Sequence, residues 1–152
     1  MDRQERWDRR YLSLAQQIAL WSKDPSTKVG AVIVRPNNTI AATGFNGFPP
    51  GHDDNPELYK DREYKYRHVI HAEANAIQSL NEAAYDYTLY ASFHCCADCV
   101  WAAAKTGIKT LVFPKIDYTD RPEWWVEEWK KRVDLAATVM VVNAIAFREY
   151  DV

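Results

Sequence analysis

The sequence predicts an α/β fold of three layers, α/β/α, with helices on both faces of a mixed five-stranded sheet. Three observations predict it. Strand-like and helix-like segments alternate after residue 80, a pattern that implies parallel strands joined by right-handed helical crossovers. Two β-branched runs, 29–34 and 39–43, flank the turn signal Pro36-Asn37-Asn38, so the sheet begins with an antiparallel hairpin. Helical segments at 1–22, 71–82, 97–106 and 123–133 are enough to cover both faces.

Each element has its own signal. Trp7, Tyr11, Leu14, Ile18 and Trp21 alternate spacings of four and three, one stripe of a helix that Asp24-Pro25 ends. After the hairpin, 44–56 (GFNGFPPGHDDNP) holds three Gly and three Pro and reads as a long loop of the kind that often carries function. From His71 the composition turns helical through Leu80. A strand at 89–93 precedes a helix that Gly107 stops, and a buried strand at 108–113 ends at Pro114. Pro122 opens a helix with Trp125, Trp129 and Val133 on one face, and 138–142 is the expected last strand.

Size and charge narrow the class. The 152 residues contain no repeat, low-complexity tract or Gly/Ser linker, so one domain over 1–152 is expected. A chain of this length buries about 70% of its unfolded surface and needs no disulfides. No apolar run approaches the ~20 residues of a bilayer span. The charged opening MDRQERWDRR has no signal-peptide core behind it, which favours a cytoplasmic location. Nineteen basic residues against 21 acidic give a net charge of -2, without the dense basic stripe of a nucleic-acid polymer binder. A phosphate-bearing small molecule needs only one or two local cations.

The chemistry sits in two strings, His71-Ala72-Glu73 and Cys96-Ala97-Asp98-Cys99. Cys95, Cys96 and Cys99 cluster within five residues, which reads as metal ligation in a reducing compartment. His71, Cys96 and Cys99 make the three-ligand set of a catalytic zinc that keeps a fourth position for water. A helix starting after Cys96 turns both sulfurs to one point, and its positive end favours thiolate. Glu73, two residues past His71, can flank the metal without ligating it. The order matches the known signature H-x-E followed by P-C-x-x-C of zinc deaminases. There the metal lowers the pKa of water from ~15.7 toward ~7, and Glu73 would move protons from water to the ring nitrogen and the departing amine.

Competing readings exist for each residue. A lone C-x-x-C is commonly structural, but no further Cys or His has the spacing to close such a site. His94 is the nearest candidate and reads as a strand-end residue bonded to backbone. His52 and His68 read as surface residues. Cys95 offers the rival spacing C-x-x-x-C, yet Cys96 and Cys99 fall on the signature.

Residues 22–51 (SKDPSTKVGAVIVRPNNTIAATGFNGFPPG), 71–77 (HAEANAI) and 96–108 resemble the deoxycytidylate (dCMP) deaminases, members of the zinc-dependent cytidine/deoxycytidylate deaminase family. The likeness runs from about Tyr11 to Val142. It implies the cytidine-deaminase-like fold and cytoplasmic homo-oligomers, often hexamers. It also implies the conversion of dCMP to dUMP and ammonia, which supplies dUMP for thymidylate synthesis. It carries one Zn2+ per subunit onto His71, Cys96 and Cys99, and the proton shuttle onto Glu73. It implies substrate contacts at Asn46, Lys28, Ala72, Tyr118 and Ser22, with Asn46 on the deoxyribose hydroxyl and Lys28 and Ser22–Lys23 near phosphate. It further implies activation by dCTP and inhibition by dTTP, with Mg2+ accompanying the triphosphate, at an effector site including Gly44, Asn46, Gly47, Gly51 and Lys23. Three departures stand out: Cys95 replaces the signature proline, and Ser79 and Glu82 stand where some regulated members carry an aromatic and a basic residue. Two other functions compete: deamination of another nucleobase such as a tRNA adenosine, and a catalytically silent zinc module of the same fold.

Overall fold

A computed structural model describes all residues, 1–152. Its five strands are β1 (Gly30–Val34), β2 (Ile40–Phe45), β3 (Thr88–Ala91), β4 (Thr110–Pro114) and β5 (Ala146–Tyr150). Its helices are α1 (Arg3–Ala19), α2 (Pro56–Lys60), α3 (Arg62–His68), α4 (Ala72–Gln78), α5 (Ala97–Thr106) and α6 (Glu123–Val142). The sheet runs β2-β1-β3-β4-β5. β1 is antiparallel to both β2 and β3, whereas β3, β4 and β5 are parallel, with α5 and α6 as the crossovers.

Strand alternation sorts the core into two layers. Ala31, Ile33, Leu89, Ala91, Leu111 and Phe113 face α4, α5 and α6. Val32, Val34, Tyr90 and Val112 face α1 through Tyr11, Leu12, Ala15 and Ile18. The mixed sheet, its hairpin and its helix-covered faces agree with the sequence reading.

Two expectations need correction. Residues 138–142 are not a strand. They continue α6, because Ala136, Val139 and Met140 fall at helical spacing and bury against the core. That packing outweighs the β propensity of Thr138, Val139, Val141 and Val142. The fifth strand is β5, an edge strand whose largely exposed A-F-R-E-Y pattern carries little apolar signal. The α1 stripe holds for Tyr11 and Ile18, which are buried, and for Trp7 and Leu14, which pack against them, but the helix ends at Ala19, so Trp21 is exposed; the buried face also includes Asp8 and Leu12. Between the 44–56 loop and α4, a segment for which no element was expected holds two short helices, capped by the side chains of Asn55 and Asp61.

Asp8 is tolerated in the core because it is fully partnered. Its carboxylate accepts from the Arg148 guanidinium (2.6 and 3.0 Å), Tyr150 (2.7 Å), Tyr90 (2.8 Å) and Gln4 (3.0 Å). This cluster fastens α1 to β3 and β5.

Candidate metal centre and active site

Two helix starts build the centre. His71 is the N-cap residue of α4 and Cys96 that of α5, both with extended backbone and neither with a side-chain capping bond. Cys99 follows one turn into α5. Both helix starts lie beyond the carboxyl end of β3, where parallel strands conventionally present ligands. Gly44 lets α4 sit on the sheet: a Cβ there would meet the Ala76 nitrogen at 2.5 Å and the Ala72 oxygen at 2.6 Å. Asn75 Nδ2 donates to the Phe45 carbonyl (2.7 Å) and fixes the same contact. Gly107 ends α5 as expected, in the left-handed conformation at φ 93°.

His71 Nδ1 lies 3.4 Å from Cys96 Sγ and 3.5 Å from Cys99 Sγ. All three donor atoms fall within 4.8 Å of one another. Tetrahedral zinc, with Zn–S near 2.3 Å and Zn–N near 2.0–2.1 Å, requires S and N about 3.6 Å apart. The donor set and its spacing fit Zn2+. Glu73, on the first turn of α4, is buried with its carboxyl beside the Cys99 sulfur.

The charges follow from these contacts. The Cys99 thiol and the His71 ring hold Cys96 down at about 4, against the opposing pull of burial. The Cys96 thiolate in turn pushes the Cys99 thiol and the His71 ring up. Burial pushes the Glu73 carboxyl up. A dication would reverse the Cys99 direction, since a coordinating thiol is deprotonated outright. Cys95 is different: it is buried in the apolar core, its thiol is pushed well up by burial, and it lies outside the donor group. His94 Nδ1 faces the backbone carbonyl of Cys95 at 2.9 Å, its ring lies 4.2 Å from that of Phe113, and it too is outside the group.

Three of the expected substrate residues meet one another. Asn46 is buried; its Oδ1 accepts from the Val29 N–H and its Nδ2 donates to the Thr27 carbonyl, both at 2.8 Å. Ser22 donates its hydroxyl to the Asn46 carbonyl (2.8 Å), and Lys28 donates to the Ser22 carbonyl. Gly47 pairs with Ile70, next to His71, so this cluster borders the metal centre. Ala72 is fully buried at the start of α4. Tyr118 lies apart on the β4–α6 loop, edge-on to Trp125. Lys23 points outward to Asp54. Gly51, at φ 83°, has open space around it. Glu82 pairs with Arg35 at the surface, and the Ser79 hydroxyl donates to the Asn75 carbonyl. His52 packs at tilted angles among the rings of Phe48, Tyr64 and His68. The sequence reading missed Lys65, whose buried ammonium pairs with buried Asp24. No local spacing signals it, because the partners belong to distant segments.

The family described as the cytidine and deoxycytidylate deaminase zinc-binding region matches residues 5–115. An uncharacterized deaminase in the luxG 3' region of Aliivibrio fischeri is 32% identical over 131 residues, covering 86% of this chain and 84% of that protein. The deoxycytidylate deaminase of Mus musculus is 34% identical over 123 residues, covering 77% and 69%. The crystal structure of dCMP deaminase from cyanophage S-TIM5 in complex with dCMP and dUMP shares the fold, at a TM-score of 0.67 and 21% identity over 99% of both chains. With these matches and the His/Cys/Cys group beside a buried glutamate, the chain belongs to the cytidine and deoxycytidylate deaminase family.

Proposed function

We propose that the chain hydrolyses dCMP to dUMP and ammonia with one Zn2+ per subunit. The observation that carries the reading is the buried Glu73 carboxyl set beside three donors at zinc spacing. Held by His71, Cys96 and Cys99, zinc would supply a water of lowered pKa, near 7. Glu73 takes the first proton of the attacking water to the ring nitrogen as the C4–O bond forms, then carries that water's second proton to the amino group as the C4–N bond breaks and ammonia leaves. Its seclusion from solvent keeps that proton on the reaction path. Ala72 opens α4, where no side chain caps the helix, so its N–H is free to hold the carbonyl oxygen of the base.

The likeness to deoxycytidylate deaminases supports dCMP as the substrate. Asn46 uses one bond at each end of its amide and has capacity left for a sugar hydroxyl. Lys28, Ser22 and Tyr118 complete the proposed substrate residues. The cytoplasm as location, control by dCTP and dTTP with Mg2+ at Gly44, Asn46, Gly47, Gly51 and Lys23, and assembly into a hexamer rest on the resemblance. Exposed Leu135, Val141 and Val142 on α6 add support for assembly.

Ammonia release from dCMP, CMP, deoxycytidine, adenosine in a tRNA anticodon stem and a short single strand, each with and without dCTP and dTTP, tests the whole reading. Turnover greatest with dCMP is expected. Preference for the RNA would make the chain a nucleobase editor, and silence on every substrate would make it a zinc module without catalysis.

A further inference from the structure

We infer that Lys65 and Asp24 form a positioning pair for the substrate side of the centre, an inference that rests on the deaminase reading above. Lys65 Nζ lies 2.8 Å from Asp24 Oδ2, with side-chain exposures of 10% and 0%. Two charges are withdrawn from water this far only where each compensates the other. Oδ2 makes no aligned hydrogen bond, so the Lys65 ammonium is its compensation.

The pair joins two segments that border the centre. On one side, Asp24 Oδ1 accepts from the Ser26 N–H (2.9 Å), the Ser26 hydroxyl (3.1 Å) and the Thr27 N–H (3.2 Å), folding 24–27 into a tight turn. Lys65 also donates to the Ser26 hydroxyl at 3.0 Å. That turn leads directly to the Thr27 carbonyl and Val29 N–H that grip the Asn46 amide. On the other side, α3 carries Lys65 and ends at His68, and the chain continues through Val69 to Ile70, which pairs with Gly47 and precedes His71. The buried ion pair therefore sets how the Asn46 cradle sits relative to the chain entering the metal centre. The metal donors themselves stand on other supports, at the starts of α4 and α5. The function of the pair is thus substrate capture, felt in KM.

Steady-state kinetics with dCMP on the zinc-loaded enzyme tests this, with wild-type turnover measured first as the separate test of the deaminase reading. Lys65→Met is expected to raise KM about tenfold or more, the result of losing a contact that binds ground state and transition state alike. kcat should stay within about threefold of wild type, with zinc content and circular dichroism unchanged. Lys65→Arg should recover most of the KM, because it restores the cation. Should Lys65→Met fail to fold, Asp24→Asn is expected to show the same KM-selective loss. A KM within about twofold of wild type, or kcat, zinc and circular dichroism falling together in every variant, would overturn the inference.

Discussion

Gly44 on β2 lies directly beneath Ala76 on α4, at a separation that leaves no room for a methyl group between strand and helix. The obstacles are the backbone atoms of Ala72 and Ala76, which cannot rotate away as a side chain would. Gly44→Ala must therefore lift α4, and with it His71 and Glu73. A loss of about 1–3 kcal/mol is expected from such overpacking, together with weaker zinc retention. Denaturant unfolding and metal analysis of the same preparation would show whether the two losses travel together.

Glu73→Gln preserves size and removes the titrating oxygen. The variant should keep fold and zinc while dCMP turnover drops by about 10²–10⁴, the usual worth of acid–base assistance. Ammonia release beside zinc stoichiometry decides it. Near-normal turnover would remove Glu73 from the mechanism.

Single replacements in the cysteine cluster should divide cleanly. Cys96→Ser and Cys99→Ser are expected to lose the metal. Cys95→Ser should retain it and cost about 1–3 kcal/mol for burying a hydroxyl among apolar neighbours. Zinc content measured after dialysis separates a ligand from a core thiol.

Asp8 makes stability depend on acidity. Burial alone would raise its carboxyl, but hydrogen bonds from Arg148, Tyr150 and Tyr90 outweigh burial and hold it below the ordinary value. A carboxyl with a lower pKa folded than unfolded binds its proton more readily in the unfolded chain. Its contribution is therefore complete above the unfolded value of about 3.9 and is lost as pH falls through the folded one. Asp8→Ala should cost about 3 kcal/mol near neutrality, the lower end for a broken buried pair because Arg148 is half-buried. Urea midpoints of wild type and variant should converge as pH drops below about 4. Curves that stay equally separated into strong acid would remove Asp8 as the source.

The grouping of the three metal-type donors was legible because their spacing is local. His71 and Glu73 are two positions apart, Cys96 and Cys99 three, and Gly107 marks the end of the helix that carries the thiols. The proposed substrate cradle was only half legible: Asn46 stood out in G-F-N-G, whereas its bonds to Thr27 and Val29 and the Lys65–Asp24 pair depend on contacts between remote segments. The same physics explains α1. Its stripe of Trp7, Tyr11, Leu14 and Ile18 pointed to the core, but Asp8 could not be read as interior, because Arg148 and Tyr150 arrive from the far end of the chain. Residues 138–142 misled for the converse reason, as β-branched side chains accept a helix when Ala136 and Met140 are already docked.

The cluster at Asp8 also governs the order in which a growing polypeptide can mature. While a ribosome is still extending the chain, the first helix already carries an anion whose guanidinium and phenol partners on β5 have not been made. That helix can settle onto the sheet for good only after residue 150 has cleared the exit tunnel, so final closure of this domain waits on the last strand and cannot proceed strictly from front to back.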